Sequence, residues 1–127
     1  VIPIMLNKIG VGENPEVNGD GSQAYDFIYV EDVARANVRS LQTEASDEFY
    51  NVGTGRQTSI RDLCDVILEL TGSDLKVMYK PYADDDARQF VQNRIACTQK
   101  AKRDLGFDTS IDLREGLRRL LKWRNAS

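Results

Sequence analysis

Apolar residues recur along this chain at helical spacing in some segments and as short continuous runs in others. The clearest helical stripe consists of Ile60, Leu63, Cys64, Ile67 and Leu68, which are spaced i, i+3, i+4, i+7 and i+8. Ser59, followed by Asp62, resembles a capping box at the start of this stripe, and Gly72 is suited to its end. The pattern predicts a helix that begins after Ser59 and stops at Gly72.

Four further helices are predicted from shorter stripes. An apolar face over residues 2–9 is stopped by two nearby glycines. A second helix is expected over 31–41, because Glu31 and Asp32 suit the positive end of a helix dipole. A third should cover 99–105 and end at Gly106. The last should open at Asp112 and end at Trp123.

Short strands are predicted between these helices, at 15–18, 27–30, 49–52 and 75–79. The run 27–30 is apolar throughout, as in a strand buried on both faces. Residues 19–22 read as a turn, and the segment from Pro81 to Asn93 reads as an acidic loop. Because strands alternate with helices, the fold class is α/β, or mixed α+β, with strands too few for an independent doubly wound sheet.

Length and composition narrow the possible functions. The 127 residues fit one domain, 1–127, and the net charge of −3 gives no electrostatic reason to bind nucleic acid or an anionic membrane. The absence of histidine removes the commonest acid–base group and metal ligand. Cys64 and Cys97 fit no zinc spacing and are expected to be free thiols of a cytoplasmic protein. No apolar run reaches the roughly 20 residues of a membrane span.

Two local patterns have more than one chemical interpretation. Asp84–Asp86 are suited to paired acid chemistry or to magnesium, or they form a solvated acidic loop. Gly53–Gly55 is suited to cradling a phosphate through backbone N–H groups, or it is a tight turn. We assign no catalytic residue and no metal ligand from these patterns.

The spacing of five features gives the chain a specific resemblance. They are the turn Gly19–Gly21, the segments Tyr25–Phe27 and Val30–Val33, the turn Asn51–Gly55, and the helix that ends at Trp123. In this order they closely resemble the second half of the extended short-chain dehydrogenase/reductase family, the NAD-dependent nucleotide-sugar epimerases and dehydratases. The resemblance covers nearly the whole chain, and it implies a small C-terminal lobe of several helices with short strands.

The resemblance also implies a site for a nucleotide-diphosphate sugar. The base is expected against backbone near Ile2–Pro3 and Val17–Asn18, and arginines are expected at the phosphates. Tyr25 stands where many relatives have arginine, and its hydroxyl brings no charge. Asp86 matches the family aspartate that binds a ribose hydroxyl. Arg88 is the best local substitute for the family's phosphate-binding arginine, or it forms a salt bridge inside the acidic loop.

The catalytic half of such an enzyme is not found in this sequence. The family's tyrosine-x-x-x-lysine pair does not occur at any of the five tyrosines, and no glycine-rich dinucleotide motif is present. The resemblance therefore implies a substrate-binding half whose Rossmann half is absent. NAD would be bound by the parent enzyme and not by this chain, which alone should be inactive. The parent is expected to be a homodimer.

Two functions remain open at this point. The first is the sugar-nucleotide-binding lobe of an NAD-dependent nucleotide-sugar epimerase or dehydratase, and a reductase or decarboxylase of the same family fits the lobe equally well. The alternative is a standalone, non-catalytic module that binds a nucleotide or a protein partner through its apolar faces.

Overall fold

Helices carry most of the regular structure in the residues that the computed structural model describes, which are 1–82 and 91–126. None of the helices in these two ranges has the length and apolar character that crossing a membrane requires. The helices are α1 (Ile2–Gly10), α2 (Val30–Gln42), α3 (Ile60–Thr71), α4 (Gln99–Leu105) and α5 (Leu113–Ala126). The strands are β1 (Glu16–Asn18), β2 (Ala24–Tyr25), β3 (Thr58–Ser59), β4 (Met78–Lys80) and β5 (Asn93–Arg94).

The chain divides into two compact units, each built from two separate stretches of sequence. Unit 1 comprises Val1–Tyr25 and Thr58–Asn93, and unit 2 comprises Asp26–Gln57 and Arg94–Ser127. Mixed helices and short strands confirm the predicted fold class.

Unit 1 packs two helices against short strand pairs. β1 runs parallel to β4, with Val17 opposite Tyr79, and β2 runs antiparallel to β3, with Ala24 opposite Ser59. The N–H of Ala24 also donates to the Gln92 carbonyl at 2.8 Å, beside β5. The buried core draws on α1, β1 and α3, whose apolar stripes meet there. It contains Met5, Leu6, Val17, Ile60, Leu63, Cys64 and Ile67.

The ends of α3 follow from local sequence chemistry. The Ser59 hydroxyl oxygen accepts the N–H of Asp62 at 3.0 Å and donates to the Asp62 carboxylate at 2.7 Å. At the other end, Gly72 adopts φ 62°, a left-handed conformation that glycine reaches without steric cost. The predicted start and stop of this helix are therefore confirmed.

Unit 2 has a separate apolar core formed by residues of α2, α4 and the segment after α4. Ala36, Ala101, Leu105 and Phe107 are buried together. Three half-buried residues of the loops before and after α2 pack against this cluster, and they are Ile28, Tyr50 and Val52.

Two of the predicted strands are wrong. Neither 27–30 nor 49–52 pairs with another strand in the described ranges, and Val30 already belongs to α2. Each segment packs one side on the unit 2 core, whereas Phe49 is 92% exposed. Strand-like sequence alone forms no strand unless a neighbouring strand supplies the other half of the hydrogen-bond ladder. β4 also lies slightly later than predicted, and β5 begins at Asn93, the last residue of the predicted loop.

Candidate functional site

A cavity of about 450 Å³ opens in unit 1. This volume lies within the range of small-molecule binding pockets. Residues from α1, β1, β2 and the start of α3 form its walls, and most of the lining side chains are apolar. The lining residues are Val1, Ile4, Met5, Lys8, Glu16, Val17, Asn18, Gln23, Tyr25 and Ile60.

Three of the residues predicted to bind substrate meet at this cavity. Val17 and Asn18 reach it from β1, and Tyr25 reaches it from β2. Ile2 and Pro3 occupy the first turn of α1, where proline is well tolerated because its missing N–H has no helical partner. The residues on either side of that pair line the cavity, but Ile2 and Pro3 themselves do not.

The remaining predicted contacts belong to the acidic segment. Asp86 and Arg88 lie outside the described residues, as does the run Asp84–Asp86 as a whole. Within the two described ranges, no three acidic, cysteine or histidine side chains are grouped as metal ligands.

The glycine-rich turn after β1 fixes the chain beside the cavity. Gly19 has φ +73°, and a Cβ placed there would lie 2.3 Å from the Tyr82 ring. The Asp20 carboxylate accepts the N–H of Ser22 at 2.9 Å, and the Arg61 guanidinium donates to the Asp20 carbonyl at 2.7 Å. The predicted turn is therefore confirmed, and glycine at position 19 is required by both backbone conformation and space.

The charged residues of the cavity wall are paired with one another. The Glu16 carboxylate lies 2.8 Å from the Lys80 ammonium and 3.1 Å from the Lys8 ammonium. Hydrogen bonds from Lys80 and then Lys8 lower the pKa of Glu16, so this carboxylate is ionised at neutral pH. Glu16 in the cavity wall is therefore a carboxylate paired with two ammonium groups, that of Lys8 in the same wall and that of Lys80.

Lys8, Glu16 and Gln23 line the cavity but were not among the predicted site residues. Strand alternation could have indicated Glu16, because residues i and i+2 share a face and Asn18 was already placed there. Gln23 carried no such signal, since it follows a turn and precedes only a two-residue strand. Its position at the cavity depends on the tertiary fold.

The turn Gly53–Gly55 is occupied by a carboxylate from its own unit. The Asp26 carboxylate accepts the N–H groups of Thr54 and Gly55, each at 2.9 Å, and the N–H of Ala96 at 3.3 Å. Burial would raise the pKa of Asp26, but these bonds and the Thr54 hydroxyl lower it. Because the donors of the turn already have a partner, the turn is a structural junction and not a phosphate cradle.

A second carboxylate has a similar structural position. Asp32, in the first turn of α2, is fully buried and accepts from Ser110 through both N–H and hydroxyl, at 3.1 and 2.9 Å. It also accepts the N–H of Ile111 at 3.1 Å and pairs with Arg35 at 2.6 Å. Burial alone would raise the pKa of Asp32. The hydrogen bonds from Ile111 and Ser110 and the charge of Arg35 outweigh it, so the pKa is lowered from its usual value.

Unit 2 contains a smaller cavity of about 320 Å³. It is lined in part by Ser40, Thr43, Glu48, Tyr50 and Leu105. None of the five described residues predicted to bind substrate is among its lining residues, so the two cavities can be distinguished experimentally by the residues that respond to a ligand.

Comparison with known proteins gives a consistent family signal. Residues 1–53 match the NAD dependent epimerase/dehydratase family. A putative UDP-glucose 4-epimerase of Methanocaldococcus jannaschii is 37% identical over 97% of this chain. The chain spans only 38% of that relative's length.

Solved structures show the same similarity. The UDP-glucose 4-epimerase of Thermotoga maritima, crystallised with UDP-glucose, matches 98% of the chain with a TM-score of 0.88 and 33% identity. The UDP-N-acetylglucosamine 4-epimerase of Methanobrevibacter ruminantium matches 99% with a TM-score of 0.88 and 30% identity. In both cases the matched region is 39% of the solved chain.

Proposed function

We propose that this chain, which belongs to the NAD-dependent epimerase/dehydratase family, forms the sugar-nucleotide-binding part of a longer nucleotide-sugar epimerase or dehydratase. One observation carries the proposal. Val17, Asn18 and Tyr25, which were expected at the substrate from the sequence, line one cavity of ligand-binding size.

The chemistry of the cavity favours a nucleotide over a purely apolar ligand. Ile4, Met5 and Ile60 provide apolar wall against which a flat heterocycle can pack. Asn18 and Gln23 add amide groups that can exchange hydrogen bonds with the edge of a base. This combination of apolar walls with a few polar groups is typical of small-molecule sites.

The similar proteins suggest the class of nucleotide. The relative from M. jannaschii is described as a putative UDP-glucose 4-epimerase, and the T. maritima structure contains UDP-glucose. We therefore propose a uridine-diphosphate sugar as the ligand. Since the chain spans less than two-fifths of these proteins, the complete reaction is proposed for the longer protein only.

The described residues do not fit NAD. A dinucleotide site needs a strand that leads through a glycine-rich turn into a helix whose free N–H groups meet the pyrophosphate. α2 instead carries Glu31 and Asp32 in its first turn, and these carboxylates would repel a pyrophosphate. In α3 the hydroxyl oxygen of Ser59 already accepts an N–H of the first turn. We therefore propose that NAD binds to another part of the longer protein and that this chain alone is inactive.

The exposed side chain of Phe49 in unit 2 supports a role beside another domain. Phe49 is 92% exposed, although it is a large apolar residue. Burying this apolar surface against another part of the protein would be stabilising. We propose that Phe49 contacts the NAD-binding part of the longer protein. The homodimer stays a prediction.

The contribution of this chain to the reaction would be orientation. By binding the nucleotide, it would hold the sugar carbon in place for the oxidation and reduction steps, which other parts of the enzyme would perform. Holding reactants in a fixed geometry can lower a barrier by about 7–11 kcal/mol at best.

The proposal is tested by calorimetric titration of the protein with UDP-glucose. Asn18→Trp would place a large ring on an exposed strand position that lines the cavity, and it should weaken binding at least tenfold. Asn93→Trp is the matched control, since Asn93 is an exposed strand residue that does not line the cavity. Equal affinities of the Asn18→Trp protein and the unmodified protein would contradict the proposal.

A further inference from the structure

The turn that joins two walls of the unit 1 cavity is held by one arginine of α3. Residues 19–22 lie between β1, whose Asn18 lines the cavity, and β2, whose Tyr25 lines it as well. Arg61 contacts this turn but does not itself line the cavity. We propose that Arg61 is a positioning residue, which fixes the turn and thereby places Asn18 and Tyr25 for the sugar nucleotide. This inference rests on the proposed function, because it assumes that the nucleotide binds in this cavity.

Arg61 is bonded to two successive carbonyl groups of the turn. Its guanidinium donates to the Asp20 carbonyl at 2.7 Å, and its backbone N–H donates to the Gly21 carbonyl at 3.1 Å. That N–H belongs to the first turn of α3, where N–H groups have no acceptor within the helix. The turn therefore supplies an acceptor that the helix lacks, and the helix in return fixes two peptide groups of the turn.

Packing against β4 holds the guanidinium in place. Its central carbon lies 5.8 Å from the centroid of the Tyr79 ring, which is a cation–π distance. A Cβ at Gly21 would lie 3.2 Å from this ring and 3.3 Å from the Arg61 Cβ, so the turn packs closely on both side chains. Tyr79 is opposite Val17 in the parallel pair of β1 and β4. The residue that supports Arg61 thus belongs to the strand pair that positions a cavity wall.

Removing the Arg61 side chain should loosen the turn without unfolding it. The Asp20 carbonyl would lose this donor, whereas the Asp20 carboxylate would still accept the N–H of Ser22. A looser turn has more conformations, and only a fraction of them place Asn18 and Tyr25 correctly for the ligand. The apparent affinity falls by that fraction. For a lost hydrogen bond of ordinary net strength, the decrease is about fivefold.

The experiment titrates UDP-glucose into the unmodified protein and two variants by calorimetry. Arg61→Met removes the charge and the donors but keeps an unbranched side chain, and it should bind about fivefold more weakly. Arg39→Met is the matched control, because Arg39 also donates from a helix to a backbone carbonyl, that of Leu105 at 3.2 Å, but belongs to unit 2. It should keep the unmodified affinity. Unchanged affinity in Arg61→Met, or an equal loss in Arg39→Met, would overturn the inference.

Hydrogen exchange in the unmodified protein tests the same coupling even if Arg61→Met does not fold. Coupling between two equilibria is reciprocal, so a bound nucleotide must also stabilise the bonds between the turn and α3. Saturating UDP-glucose should slow exchange of the Arg61 N–H by the same factor, about fivefold. The N–H of Gly55, which is bonded to Asp26 within unit 2, should exchange at an unchanged rate.

The outcomes distinguish the inference from the proposed function. Bound UDP-glucose that leaves the exchange of the Arg61 N–H unchanged would overturn the role of Arg61 alone. Equal slowing at Arg61 and Gly55 would also overturn it, because a general stabilisation of the chain would then explain the effect. Absence of UDP-glucose binding to the unmodified protein would instead overturn the proposed function, and the role of Arg61 with it.

Discussion

The hydroxyl of Thr54 donates to the carboxylate of Asp26 at 2.5 Å, while the N–H of Thr54 donates to the same carboxylate oxygen at 2.9 Å. Within unit 2, one carboxylate thus joins the segment that begins at Asp26 to the turn after the 49–52 segment, 28 residues later. The N–H groups of Thr54 and Gly55 are therefore both directed at one carboxylate.

Asp26→Asn should lower the free energy of unfolding by about 2 kcal/mol. The amide has one oxygen in place of two, so it cannot accept every N–H that the carboxylate accepts, and hydrogen bonds to a charged group contribute more than neutral ones. Urea unfolding measures the change. Asp74→Asn, at an exposed position, is the control and should leave stability within about 0.5 kcal/mol. Equal stability of the two variants would contradict the role given to Asp26.

Stability should fall in acid through Asp26 and Asp32. The pKa of each carboxyl is lower in the folded chain than its usual value, so the unfolded chain binds more protons in this range. Their contribution is complete above about pH 4 and is lost as pH falls through the lowered pKa. Unfolding free energies measured between pH 6 and pH 3 should decrease, and Asp32→Asn should decrease less steeply. A parallel decrease in Asp32→Asn would contradict this assignment.

Gly53→Ala should destabilise the chain by about 1–3 kcal/mol, the usual cost of overpacking. A Cβ at this position would lie 2.5 Å from the Ala96 Cβ and 2.6 Å from the Asp26 carboxylate. Gly10→Ala is the matched control, because nothing lies within 4 Å of its Cβ and alanine favours the helix. Thermal unfolding of both variants measures the difference in stability. A Gly53→Ala protein as stable as Gly10→Ala would show that the turn at Gly53 accommodates a Cβ without a clash.

The two thiols should react at very different rates. Burial raises the pKa of Cys64 to about 11, with a smaller effect from Asp65, whereas Cys97 is exposed. The thiolate is the reactive form, so a disulfide reagent at pH 8 should modify one thiol per chain quickly and the second only after unfolding. Cys97→Ser should remove the fast phase. Two fast thiols in the folded protein would contradict the packing of α3 against α1.

The sequence predicted the helices better than the strands, for a physical reason. The stripe and cap of α3, and the stop of α4 at Gly106, depend on residues close together in sequence. A strand depends on a distant partner, and the segments at 27–30 and 49–52 have none among the described residues. The apolar character of these segments was read correctly, because Ile28 and Val52 do pack on a core, but strand pairing could not be read from it.

The candidate site was predicted in part. Val17, Asn18 and Tyr25 were expected at the substrate because of the resemblance to the family, and they line one cavity. Lys8 and Gln23 were missed because they reach that cavity from α1 and from the segment before β2, whose positions depend on the tertiary packing of unit 1. Tertiary contacts therefore place these two polar residues at the site.

The most direct test of the central claim is a nitrogen–proton NMR titration of the protein with UDP-glucose and, separately, with NAD. The account predicts saturable shift changes at Asn18, Gln23 and Tyr25 with UDP-glucose, and no saturable change with NAD. Saturable changes confined to the unit 2 cavity, at residues such as Ser40 and Tyr50, or no change with UDP-glucose at millimolar concentration, would contradict it.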